Sequence, residues 1–273
     1  MTAEAAAPAR WRVYREFARV GFVNILAFRL RYYTGVLTYL INVSVYYFIW
    51  KALYAANPEI AGFRFGEIVT YVAVGWMIRS LYFNNIDQDM AQDIMDGRIT
   101  MALVKPVSVQ WMYVSQALGE TAFRLILLSM PVSVVLALVF PIQTPHSAWH
   151  GLLFLVSLAG SILLVAAMNF TVGCFAIPMK SILGLLRAKF FIQDLLSGLL
   201  IPMAIFPELL RQVLAFLPFQ HIGSTPMLIY LGKLGPREMA LSLVVQWIWI
   251  AVLLILGDRL WKRMSRRLTI HGG

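Results

Sequence analysis

Few side chains in this sequence have the types and spacing for chemistry. His146 and His150 stand four apart in PHSAWH, which would offer both rings to one metal ion from a helix face. No carboxylate lies near them in sequence to complete the set, so no metal site is expected. The single cysteine, Cys174, excludes an intramolecular disulfide and any cysteine cluster. It sits in an apolar run, where simple packing accounts for it. No nucleophile-elbow pattern occurs, and LSG at 196–198 reads as close helix packing. The other candidates are charges. Glu120 and Arg124 are four apart, in the order that favours a helical ion pair. Arg79 and Asp194 lie in other apolar segments. Four of the thirteen acids, Asp87, Asp89, Asp93 and Asp96, crowd into ten residues of IDQDMAQDIMDGRITMALVKPVS (Ile86–Ser108). These patterns point to no catalytic residue.

The elements around these residues are apolar. The chain is 60% hydrophobic, 13% charged, and has a mean hydropathy of +0.74. Soluble domains carry about 25% charged residues. Its apolar runs approach or exceed the roughly 18 residues needed to cross a bilayer core, so an all-α polytopic membrane protein is expected. At 273 residues it makes one membrane domain, with no length left for a soluble catalytic domain. The net charge of +10 does not indicate nucleic acid, because the basic residues flank apolar runs instead of forming a soluble basic domain. Arg10, Arg12, Arg15 and Arg19 interrupt any apolar core near the start, so no signal peptide is expected there.

Six transmembrane helices are expected at about 32–54, 67–85, 109–139, 150–177, 190–206 and 240–260. Together they make a permease-sized domain over 32–260, with an N-terminal segment 1–31 and a tail 261–273. Within 10–29, Trp11, Tyr14, Phe17, Ala18, Gly21, Phe22 and Ile25 share one helical face, the pattern of an interfacial amphipathic helix against membrane lipid. Sixteen Lys and Arg fall on the side of the termini and five on the other, which places both termini in the cytoplasm. Pro207, Pro218 and Pro226 cut residues 207–231 into pieces too short to cross. They read as two short re-entrant helices on the outer side, between spans five and six.

In this topology Ile86–Ser108 is cytoplasmic. Ile86, Met90, Ala91, Ile94 and Met95 form an apolar stripe at helical spacing, with the four aspartates on the remaining surface. Gly97 suits the left-handed position that ends a helix. Four aspartates repel anionic lipid, so the helix is expected to face protein. Two readings are open: a solvated amphipathic loop, or a plug for a groove on a soluble partner.

DIMDGRITMALVKPVS resembles the cytoplasmic loop after the second span of the ABC type-2 transporter permeases. SGLLIPMAIFPELLRQVLAFLPF (197–219) is similar to that family's fifth span and outer re-entrant helices, residues 10–29 resemble its interfacial elbow helix, and WKRMSRRLTIHGG resembles the ending of one bacterial branch. The resemblance covers essentially the whole chain. It implies half of an exporter in a bacterial inner or plasma membrane, paired with a second permease as a homodimer or with a sister chain. It also implies a separate cytoplasmic ATPase subunit carrying ATP and Mg, since this sequence has no phosphate loop of its own. The 86–108 loop would then be the coupling helix that docks the ATPase, with Ile86, Asp87, Asp89, Met90, Asp93, Ile94, Asp96, Gly97, Lys105 and Pro106 at the contact. No cofactor is implied on this chain.

Charges in a bilayer cost roughly 2.5–3.5 kcal/mol each on insertion scales, so Arg79, Glu120, Arg124 and Asp194 need partners or a path. Glu120–Arg124 reads as self-neutralisation or a gate, and Arg79 with Asp194 as a bridge between helices or part of the gate. Glu67 reads as a cap of the second span. The aromatic residues of the first span, among them Tyr32, Tyr33, Tyr39, Tyr46, Tyr47 and Trp50, read as anchors and packing, or as the wall of a cavity for a flat or cationic substrate. Two rival classes are an ion-driven secondary carrier and a membrane-embedded enzyme. The first calls for several mid-membrane carboxylates and inverted repeats, which the sequence does not display.

Overall fold

A computed structural model of the chain describes residues 7–27, 29–179 and 182–267. Lys180, His271 and the last residues of the tail lie outside the described residues, as do the side chains of Tyr32 and Tyr33. The chain is helical almost throughout. Its one sheet among the described residues is a two-residue antiparallel hairpin, Glu59–Ile60 with Phe63–Arg64. In order come α1 (Ala7–Ala27), α2 (Arg29–Leu53), α3 (Phe65–Tyr82), α4 (Ile86–Met95), α5 (Ile99–Leu103), α6 (Val109–Arg124) and α7 (Met130–Val139). They are followed by α8 (Ala148–Gly173), α9 (Leu183–Leu196), α10 (Glu208–Phe216), α11 (Ser224–Tyr230) and α12 (Pro236–Met264).

Among the described residues, three helices are long and apolar enough to cross a membrane: Val109–Val139, Ala148–Ala176 and Pro236–Met264. The first of these runs through α6 and α7, joined by one π-helical turn, Leu125–Ser129, directly after Arg124. α2 and α3 stand where the first two spans were expected and are not among these three. α3 is a core helix. It is buried continuously from Ile68 to Trp76, so its polar residues meet protein instead of lipid. The fifth expected span, 190–206, is not one helix. α9 stops at Leu196, and Gly198 turns the chain with φ +79. At 1.5 Å per residue, 14 residues span about 21 Å, short of a bilayer core. Residues 207–231 form the two short helices α10 and α11 around a 3₁₀ turn at Phe219–His221.

The core has two ends. Around α3, residues of α8 and α11 surround Tyr71, Ile78 and Tyr82. At the other end, Ile86, Met90, Tyr113, Phe170 and Trp261 form a second cluster from α4, α6, α8 and α12. The aromatic rings of α2 are engaged in packing: Tyr39 lies edge-on to Trp76 at 5.7 Å between centroids, and Tyr47 meets Phe140 at 5.0 Å.

α1 does not reserve its apolar face for lipid. That face lies against α6, where Gly21 is buried and the two backbones touch directly. A Cβ on Gly119 would stand 1.8 Å from the Ala18 carbonyl oxygen, and one on Gly21 would stand 2.2 Å from that of Gln116. Phe22 and Phe123 close the contact edge to face at 5.3 Å. The Tyr14 hydroxyl accepts the Ser108 N–H at 3.1 Å, tying α1 to the end of the 86–108 segment.

Candidate functional site

The chain leaves α3 at Tyr82 and enters α4 at Ile86, and three other helices converge on the three-residue link and the start of α4. The Asn84 side-chain amide donates to the Tyr82 carbonyl at 3.0 Å, and its oxygen accepts from Asn169 of α8 at 2.9 Å. The Asn169 oxygen accepts the Lys189 ammonium of α9 at 2.6 Å. That ammonium also meets the Asp87 carboxylate of α4 at 2.5 Å. Arg124 of α6 donates to the Phe83 carbonyl and, at 2.7 Å, to Glu120. Thr121 donates to the Leu81 carbonyl at 2.9 Å. Asp87 and Asn169 have no exposed surface, and Asn84, Arg124 and Lys189 are buried. Buried polar groups must be paired, and these pair with one another, with Glu120 and with backbone groups in and beside the link. The link is therefore clamped to α6, α8 and α9 at once.

A second tie lies nearby. Arg79 of α3 meets Asp194 of α9 at 2.8 Å, with its guanidinium over the rings of Trp76 and Phe83 at 5.5 and 5.6 Å. All four charges picked out inside apolar runs are thus paired, Glu120 with Arg124 and Arg79 with Asp194. Glu67 caps α3 through the Arg64 N–H at 2.8 Å and binds Lys233 at 2.7 Å. Asn84, Asn169 and Lys189 escaped the sequence reading. Lys189 counted only as a topology charge. The isolated amide of Asn169, in the middle of VAAMNFTVG, was the available signal.

The burial corrects the expected coupling surface in one respect. Ile86, Asp87 and Met90 are not available to a partner. Met90 packs on Gly173 of α8, where an added Cβ would stand 2.9 Å from its sulfur, and Asp87 faces Lys189. Ile86, Met90 and Ala91 of the stripe are buried, with Met90 against α8, whereas Met95 at its end is exposed. The outer surface is made instead by Asp89, Asp96, Gly97, Lys105 and Pro106, with half-buried Asp93 and Ile94. Met95, Met101 and Val104 project beside them, 69%, 70% and 84% exposed. Gly97 takes φ +72 at the end of α4. Arg98 braces this surface, meeting Asp93 and Asp96 at 2.9 Å each, while the Tyr113 hydroxyl donates to Asp93 at 2.7 Å.

Between α1, α4 and α6 lies a cleft of about 300 Å³, lined by Asp89, Asp93, Glu120, Arg98 and Tyr113 among others. Asp89 touches solvent, but the cleft walls crowd its carboxyl. That burial, with Glu120, Asp93 and Asp87 adding negative charge, pushes it up to about 7 from the usual carboxylate range.

The Glu120–Arg124 pair yields a direct expectation. Glu120→Gln alone removes the partner of a buried guanidinium, whereas Glu120→Gln with Arg124→Met removes both charges. The single change is expected to lower the thermal unfolding midpoint in detergent more than the double. Equal losses would mean that the two side chains do not stabilise one another.

Among the described residues, no group of three or more His, Cys, Asp and Glu side chains could hold a metal ion. The His146 and His150 rings meet edge to face at 4.9 Å, and Cys174 is buried. The profile of a family described as ABC-2 family transporter protein matches residues 40–272. No curated protein and no solved structure shows significant similarity to the chain.

Proposed function

The chain belongs to the ABC-2 transporter family, a family of membrane transport permeases, and on that premise we propose that it is the permease half of an ATP-driven exporter. A separate cytoplasmic ATPase would bind ATP and Mg and dock on residues 86–108. A second permease, identical or a sister chain, would complete the path. The proposed setting is a bacterial inner or plasma membrane, with both termini in the cytoplasm.

One observation carries the coupling role. The exposed tip of the 86–108 segment stands on α4, whose Asp87 is held by Lys189 of α9 and whose preceding link is held by α6 and α8. A surface loop that only joined two spans would need no such clamp. A push on Met95, Met101 or Val104 reaches three bundle helices through hydrogen-bonded side chains. The docking set is therefore Asp89, Asp93, Ile94, Asp96, Gly97, Lys105 and Pro106, extended by the three projecting apolar residues. Arg79–Asp194 and Glu120–Arg124 act as ties that the conformational cycle loosens or keeps.

The experiment is purification of tagged full-length protein from its native membranes in mild detergent, followed by mass spectrometry. A stoichiometric phosphate-loop ATPase is expected. Reversing exposed Asp89 and Asp96 to lysine is expected to cut its recovery about tenfold, the scale of losing close interfacial charge pairs. Absence of any ATPase, even with nucleotide trapped, would refute the exporter reading.

A further inference from the structure

The end of the bundle opposite α4 holds a cavity of about 490 Å³, within the range of small-molecule sites, that the coupling machinery does not use. It lies between the hairpin tip, α10, α11 and the start of α12. Its floor is polar and buried: Tyr71, Ser224 and Thr225 are 1–3% exposed. Its rim carries Arg211, Lys233 and Glu238.

The charges at the rim are unequally matched. Arg211 meets Glu208, and Lys233 meets Glu67 at 2.7 Å and the Gly62 carbonyl at 3.0 Å. Both keep spare donors, because a guanidinium offers five and an ammonium three. Glu238 accepts the Gly235 N–H at 3.0 Å, and among the described residues its carboxylate meets no cation. A purely anionic ligand would find cations already neutralised by Glu208 and Glu67. A ligand bearing both a phosphate and an ammonium suits the rim better, with phosphate on the spare donors and ammonium on Glu238.

α10 beside the cavity supplies the rest. Leu209, Val213 and Phe216 share one helical face and are 76%, 51% and 76% exposed, while Glu208, Arg211 and Gln212 fall elsewhere. Nine residues cannot cross a bilayer, but an amphipathic helix of this kind lies in the interface with its apolar face among acyl chains. Arg211 then sits at headgroup depth, on the helix that borders the cavity.

We propose that this cavity binds the zwitterionic headgroup of a membrane phospholipid of the ethanolamine type, with its acyl chains along the apolar face of α10. The site does not depend on the ATPase or on the direction of transport.

The test is calorimetric titration of full-length protein in maltoside detergent with dihexanoyl phosphatidylethanolamine. Parallel titrations use dihexanoyl phosphatidylglycerol and free phosphoethanolamine. Saturable binding of the ethanolamine lipid is expected, with weaker binding of the other two. Glu238→Gln keeps an acceptor for the Gly235 N–H and loses the charge. It is expected to weaken ethanolamine lipid binding about tenfold, the loss of one charge-assisted contact, and to leave phosphatidylglycerol unchanged. Leu209→Gln, at an exposed position, is expected to weaken both lipids while the thermal midpoint holds. Equal binding of the two lipids, no effect of Glu238→Gln, or free phosphoethanolamine binding as tightly as the lipid would each overturn the proposal. A dimer that forms through Phe216 and excludes lipid would also contradict it.

Discussion

Lys189→Met is expected to destabilise the folded protein by about 3–5 kcal/mol, the cost of stranding one partner of a buried ion pair. Asp87 has no exposed surface, and the Lys189 ammonium is the cation it meets. Asn169 would lose a donor at the same time, so the clamp on the α3–α4 link opens at two contacts. The double change Asp87→Asn with Lys189→Met removes both charges and is expected to recover a large part of the loss. Thermal unfolding of the purified protein in detergent measures both. Equal midpoints for single and double variants would show that the pair does not hold the link. Under the proposed exporter reading, a double variant that is folded but lacks the ion pair should still bind an ATPase through the exposed tip, while passing less of its motion to α9.

Gly119→Leu is the second large effect. There is no space at Gly119 for any side chain, because the Ala18 carbonyl oxygen lies where a Cβ would stand. Backbone cannot yield as a flexible side chain can, so α1 must move off α6. Overpacking of this kind costs about 1–3 kcal/mol, and more where backbone is displaced. The Gly21–Gln116 contact and the Phe22–Phe123 ring contact are lost together with it. Hydrogen exchange over residues 11–27 is expected to accelerate, with little change in α8 or α12. Gly184→Leu is the control, since nothing lies within 4 Å of a Cβ there. Unchanged exchange in α1 for Gly119→Leu would show that the helix is not seated on α6.

The pairs read from sequence were those set by local geometry or forced by cost. Glu120 and Arg124 are one helical turn apart, so their spacing alone brings them together. Arg79 and Asp194 are far apart in sequence, but each needed a partner in an apolar setting. The clamp was harder to see, because periodicity tells which residues share a face and not what that face meets. Asp87 lies beside the stripe of Ile86 and Met90, and its partner comes from 102 residues away. An aspartate in a cytoplasmic loop reads as solvated until a lysine is shown beside it. The segment expected as the fifth span is not a single helix, for a related reason. Residues 190–206 are apolar enough to suggest one helix, yet Gly198 and Pro202 interrupt it. In α1, aromatic residues at helical spacing suggested lipid, while the glycines that seat the helix on α6 looked like ordinary small residues.

The exposed tip of residues 86–108 is the surface that an ATPase is proposed to grip. Photo-crosslinking in native membranes tests it most directly, with a photoreactive residue placed singly at Met95, Met101 and, as a control at the opposite end of the bundle, Leu209. Adducts joining this chain to a phosphate-loop ATPase are expected from Met95 and Met101 and not from Leu209. An ATPase that co-purifies with the chain yet forms no adduct from Met95 or Met101 would contradict the assignment of the coupling surface.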